Sequence, residues 1–338
     1  MSFFAILFAL LLEQVRPLAR HNPIHAALRV WARWVSRNLD AGKPHHGWVA
    51  WALAVLGPAL GVALLHWGLL SYVGWPAAVV WNVVVLYATL GFRQFSHHFT
   101  AIRDALENGD EEQARLLLAQ WQQVEVMQLP RSEIVRHVIE YSVLAAHRHV
   151  FGVLALYSLF AALGLGPFGA VLYRMSEFVA RYWPHHNVAD TQPVSPALEC
   201  ASVNAWHVID WVPARTTAVA FAVVGSFEEA IDCWRHHAQR FPNDNDGVVL
   251  AATSGAVNVR LGGEALRAAF ASSASTTSSA SPATQVALPP SAAFEDTEST
   301  PGREAEVGHL RSIVGLVWRS VVLWMVLLAL LTLARLIG

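Results

Sequence analysis

The sequence predicts an all-α protein: a polytopic α-helical membrane bundle with a cytoplasmic helical insert and a disordered linker before a C-terminal transmembrane helix. Three observations lead there. Hydrophobic residues fill 54% of the 338 positions and charged ones only 14%, where soluble domains carry about 25% charged residues. Long apolar runs recur along the chain, several near the ~20 residues needed to cross a hydrocarbon layer. The polar stretches between them repeat apolar residues at helical spacing. The net charge of -2 gives no electrostatic case for nucleic acid. The two cysteines, Cys200 and Cys233, form neither a C-x-x-C pair nor a disulfide framework. Lys43 is the sole lysine among 23 basic residues, so arginine supplies nearly every cation available to a phosphate.

The opening "MSFFAILFALLLEQ" is apolar but short for a full span at ~1.5 Å per residue. It has no basic residue before it and no A-x-A-like site after it, so it is expected to be an uncleaved helix at the rim of the bundle or partly inside it. In "IHAALRVWARWVSRNL", Ile24, Leu28, Trp31 and Val35 share one helical face, with Arg29, Arg33 and Arg37 on another. Its positive charge places this loop on the cytoplasmic side. "WVAWALAVLGPALGVALLHWGLLSYV" is a spanning helix, with Trp48, Trp51 and Trp67 as interfacial anchors. "WPAAVVWNVVVLYATLGF" follows a minimal turn at Gly74 and completes a hairpin. The polar insert, about residues 92–149, reads as helices joined at Asn108-Gly109, the next helix starting under Asp110 to Glu112.

"HVFGVLALYSLFAALGLGPFGAVLYR" is long enough to span but is interrupted by Gly164, Gly166, Pro167 and Gly169. Two outcomes are open. A kinked single span puts the chain from Arg174 onward outside; a re-entrant pair of half-helices keeps it in the cytoplasm. The apolar run from Thr217 to Gly225 is too short to span alone, and Pro213 is expected near a helix start. Residues 268–308 are Ser/Ala/Pro-rich and read as a disordered linker. Residues 309–338 form the final membrane helix, and residues 1–267 the membrane domain proper.

Four segments, in order, resemble the CobD/CbiB family of membrane proteins, to which AmpE-type proteins are related. They are "NGDEEQARLLLAQW" with "LPRSEIVRHVIE", "LGPFGAVLYR", "IDWVPARTTA", and "PNDNDGVVLAATSGAVNVRLGG". The resemblance runs to about Arg267. It implies an adenosylcobinamide-phosphate synthase activity: ATP-dependent amide ligation of aminopropanol phosphate to a corrin carboxylate, with Mg2+. It also implies a bacterial-type inner membrane location, with the lipid bilayer and a corrinoid small molecule as partners. Other membrane proteins are further candidate partners, and nucleic acid is not expected.

The chain departs from the family at acidic positions. It has Glu13 and "VRPLARHNP" in place of an aspartate and a G-D-P turn. His147, Arg148 and His149 stand in an acidic motif. Ser176, Glu177 and Ala180 replace N-T-x-D, and Trp206 with His207 replaces an aspartate pair. These losses motivate the alternative of a non-catalytic, AmpE-like signalling or accessory protein.

For the ligase, the candidate catalytic residue is Glu140, as base or metal ligand. The candidate substrate contacts are Asn243, Arg260, Gly262, Gly263, Arg215, Asp210, His147 and Arg148. No protein metal site is expected from the His doublets, because three or four converging ligands are required. Each candidate also has a structural reading. Ala251, Ala252, Gly255 and Ala256 suit close helix packing, Trp211 with Arg215 suits an interfacial anchor, and Glu140 suits a helix surface.

Overall fold

A computed structural model describes residues 2–15, 23–122, 130–186, 194–263 and 299–337. Among these, the secondary structure is helical apart from isolated bridges. The helices are α1 (Ser2–Val15), α2 (Pro23–Leu39), α3 (Pro44–Tyr72), α4 (Trp75–Thr89), α5 (Phe92–Glu107), α6 (Glu111–Gln122), α7 (Arg131–Ala146), α8 (Gly152–Ala162), α9 (Phe168–His186), α10 (Pro196–Val224), α11 (Phe227–His237), α12 (Asp244–Val257) and α13 (Val307–Ile337). Three helical stretches are long and apolar enough to cross a membrane: Pro44–Tyr72, Arg131–Ala162 and Val307–Ala334. The chain forms two compact units, one of residues 1–97, 145–217 and 317–338, the other of residues 98–144 and 218–316.

In the first unit, α1 packs on α4 and α8 through Ala5, Ile6 and Ala9, all fully buried, and leaves Phe4, Phe8, Leu11 and Leu12 exposed. This is the rim helix expected from its length. Gly74 (φ +107°) turns α3 into α4, and the indole N–H of Trp81 donates to Val62 O across that hairpin (3.2 Å).

The interrupted segment resolves as helix, turn and helix. Gly164 and Gly166 adopt positive φ in the turn, and α9 packs back along α8 so closely that a Cβ on Gly169 would fall 2.2 Å from Leu156 O. The chain therefore reverses there. Trp67 ties the turn to α3 by donating to Gly164 O (2.8 Å).

Three expectations are corrected. Pro213 lies inside α10, a continuous helix of 29 residues, and not at a helix start. An interior proline withholds the N–H that the carbonyl four residues earlier, that of Ile209, would accept, yet α10 keeps its helical course through it. The insert has no break at residue 149: α7 runs through a π-helical turn, His147–Phe151, directly into α8. The expected linker lies largely outside the described residues, but its last part is ordered, as Ser299 and Arg303 bridge Gly262 and Val259. The composition concealed specific hydrogen bonds.

In the second unit, Asp110 caps α6 by accepting from Gln113 N–H (3.0 Å), after the turn at Gly109 (φ +79°). α11 and α12 form an antiparallel-type hairpin contact that needs small residues. A Cβ on Gly255 would meet Glu229 O at 2.2 Å, and one on Gly225 would meet the Ala256 methyl at 2.6 Å. α12 is buried from Asn245 to Gly255, so the small-residue pattern read from the sequence serves helix packing.

Candidate functional site

α12 ends at Asn258, the one non-glycine residue with positive φ (54°) among the described residues. The chain then runs through Val259 to Gly263 and is clamped by a strap, Ser299–Arg303. Arg260 N–H donates to Arg303 O (2.7 Å), Thr300 N–H to Leu261 O (2.8 Å) and Arg303 N–H to Asn258 O (3.2 Å). The Thr300 hydroxyl is buried between Leu261 N–H (2.8 Å) and the Ser254 hydroxyl (2.7 Å), both of which donate to it. Gly302 (φ +141°) is required there, because a Cβ would sit 2.9 Å from Val259 C.

The strap fixes Gly262 (φ +87°) so that its N–H donates to Glu140 Oε1 at 2.7 Å. Glu140 is 1% exposed. Its neighbour one turn back on α7, Arg136, places Nε 3.9 Å from the same oxygen and pairs through Nη2 with Glu133. Gly263 (φ +120°) lies against that guanidinium, where a Cβ would meet Arg136 Nη1 at 2.9 Å. Glu140 Oε2 is buried and has no hydrogen-bond partner. An unpartnered buried carboxylate oxygen is costly, and one beside a guanidinium and a pair of bare glycines forms a small polar cradle.

Three sequence candidates, Glu140, Gly262 and Gly263, thus meet, and Arg136, which the sequence pattern did not single out, completes the group. Asn243 and Arg260 lie elsewhere. Asn243 precedes α12 and its amide donates to Asp246 Oδ2 (3.1 Å); Arg260 is exposed, and it is its backbone that joins the strap. A groove of about 340 Å³ in the same unit is bounded by Glu228, Glu229 and Asp232 of α11 and by the strap, with none of the candidate residues in its wall.

In the first unit, His147 is fully buried, with Nδ1 2.9 Å from Thr217 Oγ1 and Nε2 3.0 Å from Asp210 Oδ1. Tyr173 OH donates to the same Asp210 oxygen (2.8 Å), while Asp210 Oδ2 is buried without a partner. Gly152 makes room for this phenol, since a Cβ there would fall 2.1 Å from the Tyr173 hydroxyl. The π-helical turn opens the helix at the point where His147 enters the cluster, a distortion often found at functional positions.

His147 and Asp210, both sequence candidates, are brought together here; Tyr173 and Thr217 were missed. Arg148 is half-buried beside them in the chain. Arg215 is not part of the cluster: its guanidinium stacks 4.0 Å over the Trp211 ring and donates to Trp211 O (3.0 Å), an anchor geometry. Glu177, at a departed family position, is held between Arg174 (2.8 Å) and Arg181 (3.3 Å).

Comparison with known proteins adds to this geometry. The family description "CobD/Cbib protein" matches residues 3–288. A cobalamin biosynthesis protein CobD of Stutzerimonas stutzeri is 32% identical over 271 residues, covering 78% of this chain and 83% of that protein. One of the same name from Chromobacterium violaceum is 29% identical over 187 residues, covering 55% of this chain and 57% of its own length. One from Mycobacterium tuberculosis is 28% identical over 243 residues, covering 66% and 67%. No solved structure matches.

Proposed function

We propose that this chain, which belongs to the CobD/CbiB protein family, works in cobalamin biosynthesis at the inner membrane, as an ATP-dependent ligase joining aminopropanol phosphate to a corrin carboxylate. The observation that carries this reading is the 2.7 Å hydrogen bond from Gly262 N–H to Glu140. It unites the glycine segment with the acid of the insert under the Arg136 guanidinium.

The residues present would suit an anionic ligand accompanied by a cation. Arg136 offers a charged donor suited to a phosphate, and two glycines leave the backbone open to close approach. Glu140 Oε2 is the carboxylate oxygen of this cradle left for a cation or a proton. Among the described residues no three His, Cys, Asp or Glu converge on a metal position. A magnesium ion would here draw its ligands from phosphate and water, as that ion commonly does, which leaves Glu140 Oε2 to a proton. ATP, when bound, supplies the phosphoryl group that activates the acid. In this reading Arg136 orients the phosphate, Gly262 fixes the rotamer of Glu140, and Glu140 accepts the proton of the attacking amine as the acyl C–O bond breaks and phosphate leaves. Burial of the cluster excludes water from the activated acyl group. The accessory, AmpE-like alternative has no support from the relatives compared, all of which carry a cobalamin biosynthesis name.

The test is complementation of a strain lacking its own synthase on medium that demands cobalamin made from cobyric acid. Growth with the wild-type chain and loss of growth with Glu140→Ala at equal expression are expected. Failure of the well-expressed wild type overturns the ligase. So does a reporter fused after Gly263 that is active only in the periplasm, because ATP is then on the wrong side.

A further inference from the structure

The amphipathic helix α2 has a surface that the proposed chemistry does not use. Its inner face is settled: Ala32 and Val35 are fully buried, and the Trp31 indole N–H donates to Ala54 O of the membrane-crossing helix α3 (3.2 Å). Away from that face, Arg29, Arg33 and Arg37 are all exposed. Four-residue spacing keeps them on one stripe, within about 80° of helix circumference at ~100° per residue. No carboxylate among the described residues pairs with them; of their guanidiniums, that of Arg33 donates through Nε to Arg29 O (3.4 Å). The acid nearest in sequence, Asp40, is committed elsewhere, accepting from Ser195 N–H (2.7 Å), the Ser195 hydroxyl (2.5 Å) and Gly42 N–H (3.2 Å). Lys43 continues the positive surface toward α3.

The same helix exposes apolar groups beside the arginines. Val30 is 59% exposed and Trp34 49%, the latter stacked on Trp31 at 5.4 Å. A soluble surface gains nothing from an exposed valine and tryptophan flanking three uncompensated cations. A bilayer interface satisfies both, with the rings and methyls at the acyl boundary and the guanidiniums on phosphate diesters.

We propose that α2 is an anionic-lipid-binding helix, its Arg29–Arg33–Arg37 stripe holding phosphodiester headgroups while Val30 and Trp34 enter the bilayer surface. Each basic residue near an anionic leaflet contributes about fivefold in affinity, so removal of all three charges costs about a hundredfold. The inference is independent of the ligase reading, and its test needs no catalysis.

The full-length protein is reconstituted in nanodiscs of phosphatidylcholine doped with phosphatidylglycerol and extracted in a neutral detergent. Phosphatidylglycerol retained per protein is then counted by mass spectrometry. Retention above the bulk ratio is expected, with loss in Arg29→Gln/Arg33→Gln/Arg37→Gln and recovery in the corresponding triple lysine substitution. Thermal unfolding in pure phosphatidylcholine checks that the glutamine variant folds. If it does not, a salt series on the wild type decides, molar salt being expected to strip the lipid.

Wild type without enrichment, or enrichment untouched by the glutamine set or by salt, overturns the proposal. Displacement by inorganic phosphate points to a soluble anion and also overturns it. A disulfide-linked dimer formed through Trp34→Cys assigns the face to a second copy of the chain instead.

Discussion

Replacing Thr300 by valine keeps the shape of the side chain and deletes one hydroxyl, and the structure says what that hydroxyl does. It accepts from Leu261 N–H at 2.8 Å and from the Ser254 hydroxyl at 2.7 Å, and donates to Leu261 O at 3.1 Å. Two of these losses are covered. Ser254 retains Val259 O at 2.8 Å, and Leu261 O retains Thr300 N–H at 2.8 Å. Leu261 N–H has no substitute. A buried donor left unpaired costs about 1–3 kcal/mol. Taking about 2 kcal/mol, the strap opens about thirtyfold more often.

The assay is hydrogen exchange of the detergent-solubilised protein, followed on peptides covering residues 254–263 and 299–303. Exchange in the glycine segment should accelerate by that factor, while α3 and α13 stay unchanged. Thr300→Ser restores the hydroxyl and loses only a methyl, about 0.8 kcal/mol, so it should accelerate exchange by no more than about fourfold. Equal behaviour of the valine and serine variants, or an unchanged rate with valine, would refute the account of the strap as hydroxyl-dependent.

Gly152→Ala drives a methyl into the Tyr173 hydroxyl, 2.1 Å away, and should lower stability by at least the ~1–3 kcal/mol of an overpacked core, read as a drop in the unfolding midpoint in detergent. Asp210→Ala leaves His147 and Tyr173 without their shared buried hydrogen-bond acceptor and should cost about 1–3 kcal/mol for each group left unpaired, with Asp210→Asn milder because it keeps an acceptor for Tyr173; equal losses would argue against the hydrogen-bond account. Glu140→Gln keeps the oxygen that accepts Gly262 N–H, so folding should survive to within about 1 kcal/mol while complementation fails. Burial pushes the Cys233 thiol above its ordinary value, with the Asp232 carboxylate adding to the shift. Less thiolate is then present at any given pH, and maleimide should label the exposed Cys200 at least ~10-fold faster than Cys233 at pH 8.

Much of the helical layout was legible because local chemistry forces it. Asn108-Gly109 had to be a turn, with Asp110 ready to cap the next helix, and the glycines at 164 and 166 had to interrupt a helix. Whether that interruption kinked or reversed the chain was settled by a contact no window of sequence contains, the backbone of Leu156 against Gly169. Pro213 misled because a proline reads as a helix start, whereas here the helix continues through it for 29 residues in all.

In the candidate sites, Glu140 and the glycines were visible as oddities of residue type. Arg136 was not: an arginine in a charged insert looks solvated until its helix is seen to be buried. Tyr173 hid inside a matched motif, and Thr300 inside a composition that read as linker. Both act through single hydrogen-bonding atoms, which leave no periodic trace.

The bridges joining Gly262 to Ser299 and Val259 to Arg303 hold the two ends of the chain between them together. Both ends of that stretch are fastened at one place, so residues added or removed there change no span that must be reached. An epitope or a fluorescent domain inserted between those ends should therefore leave the clasp and the helices beneath it as they are.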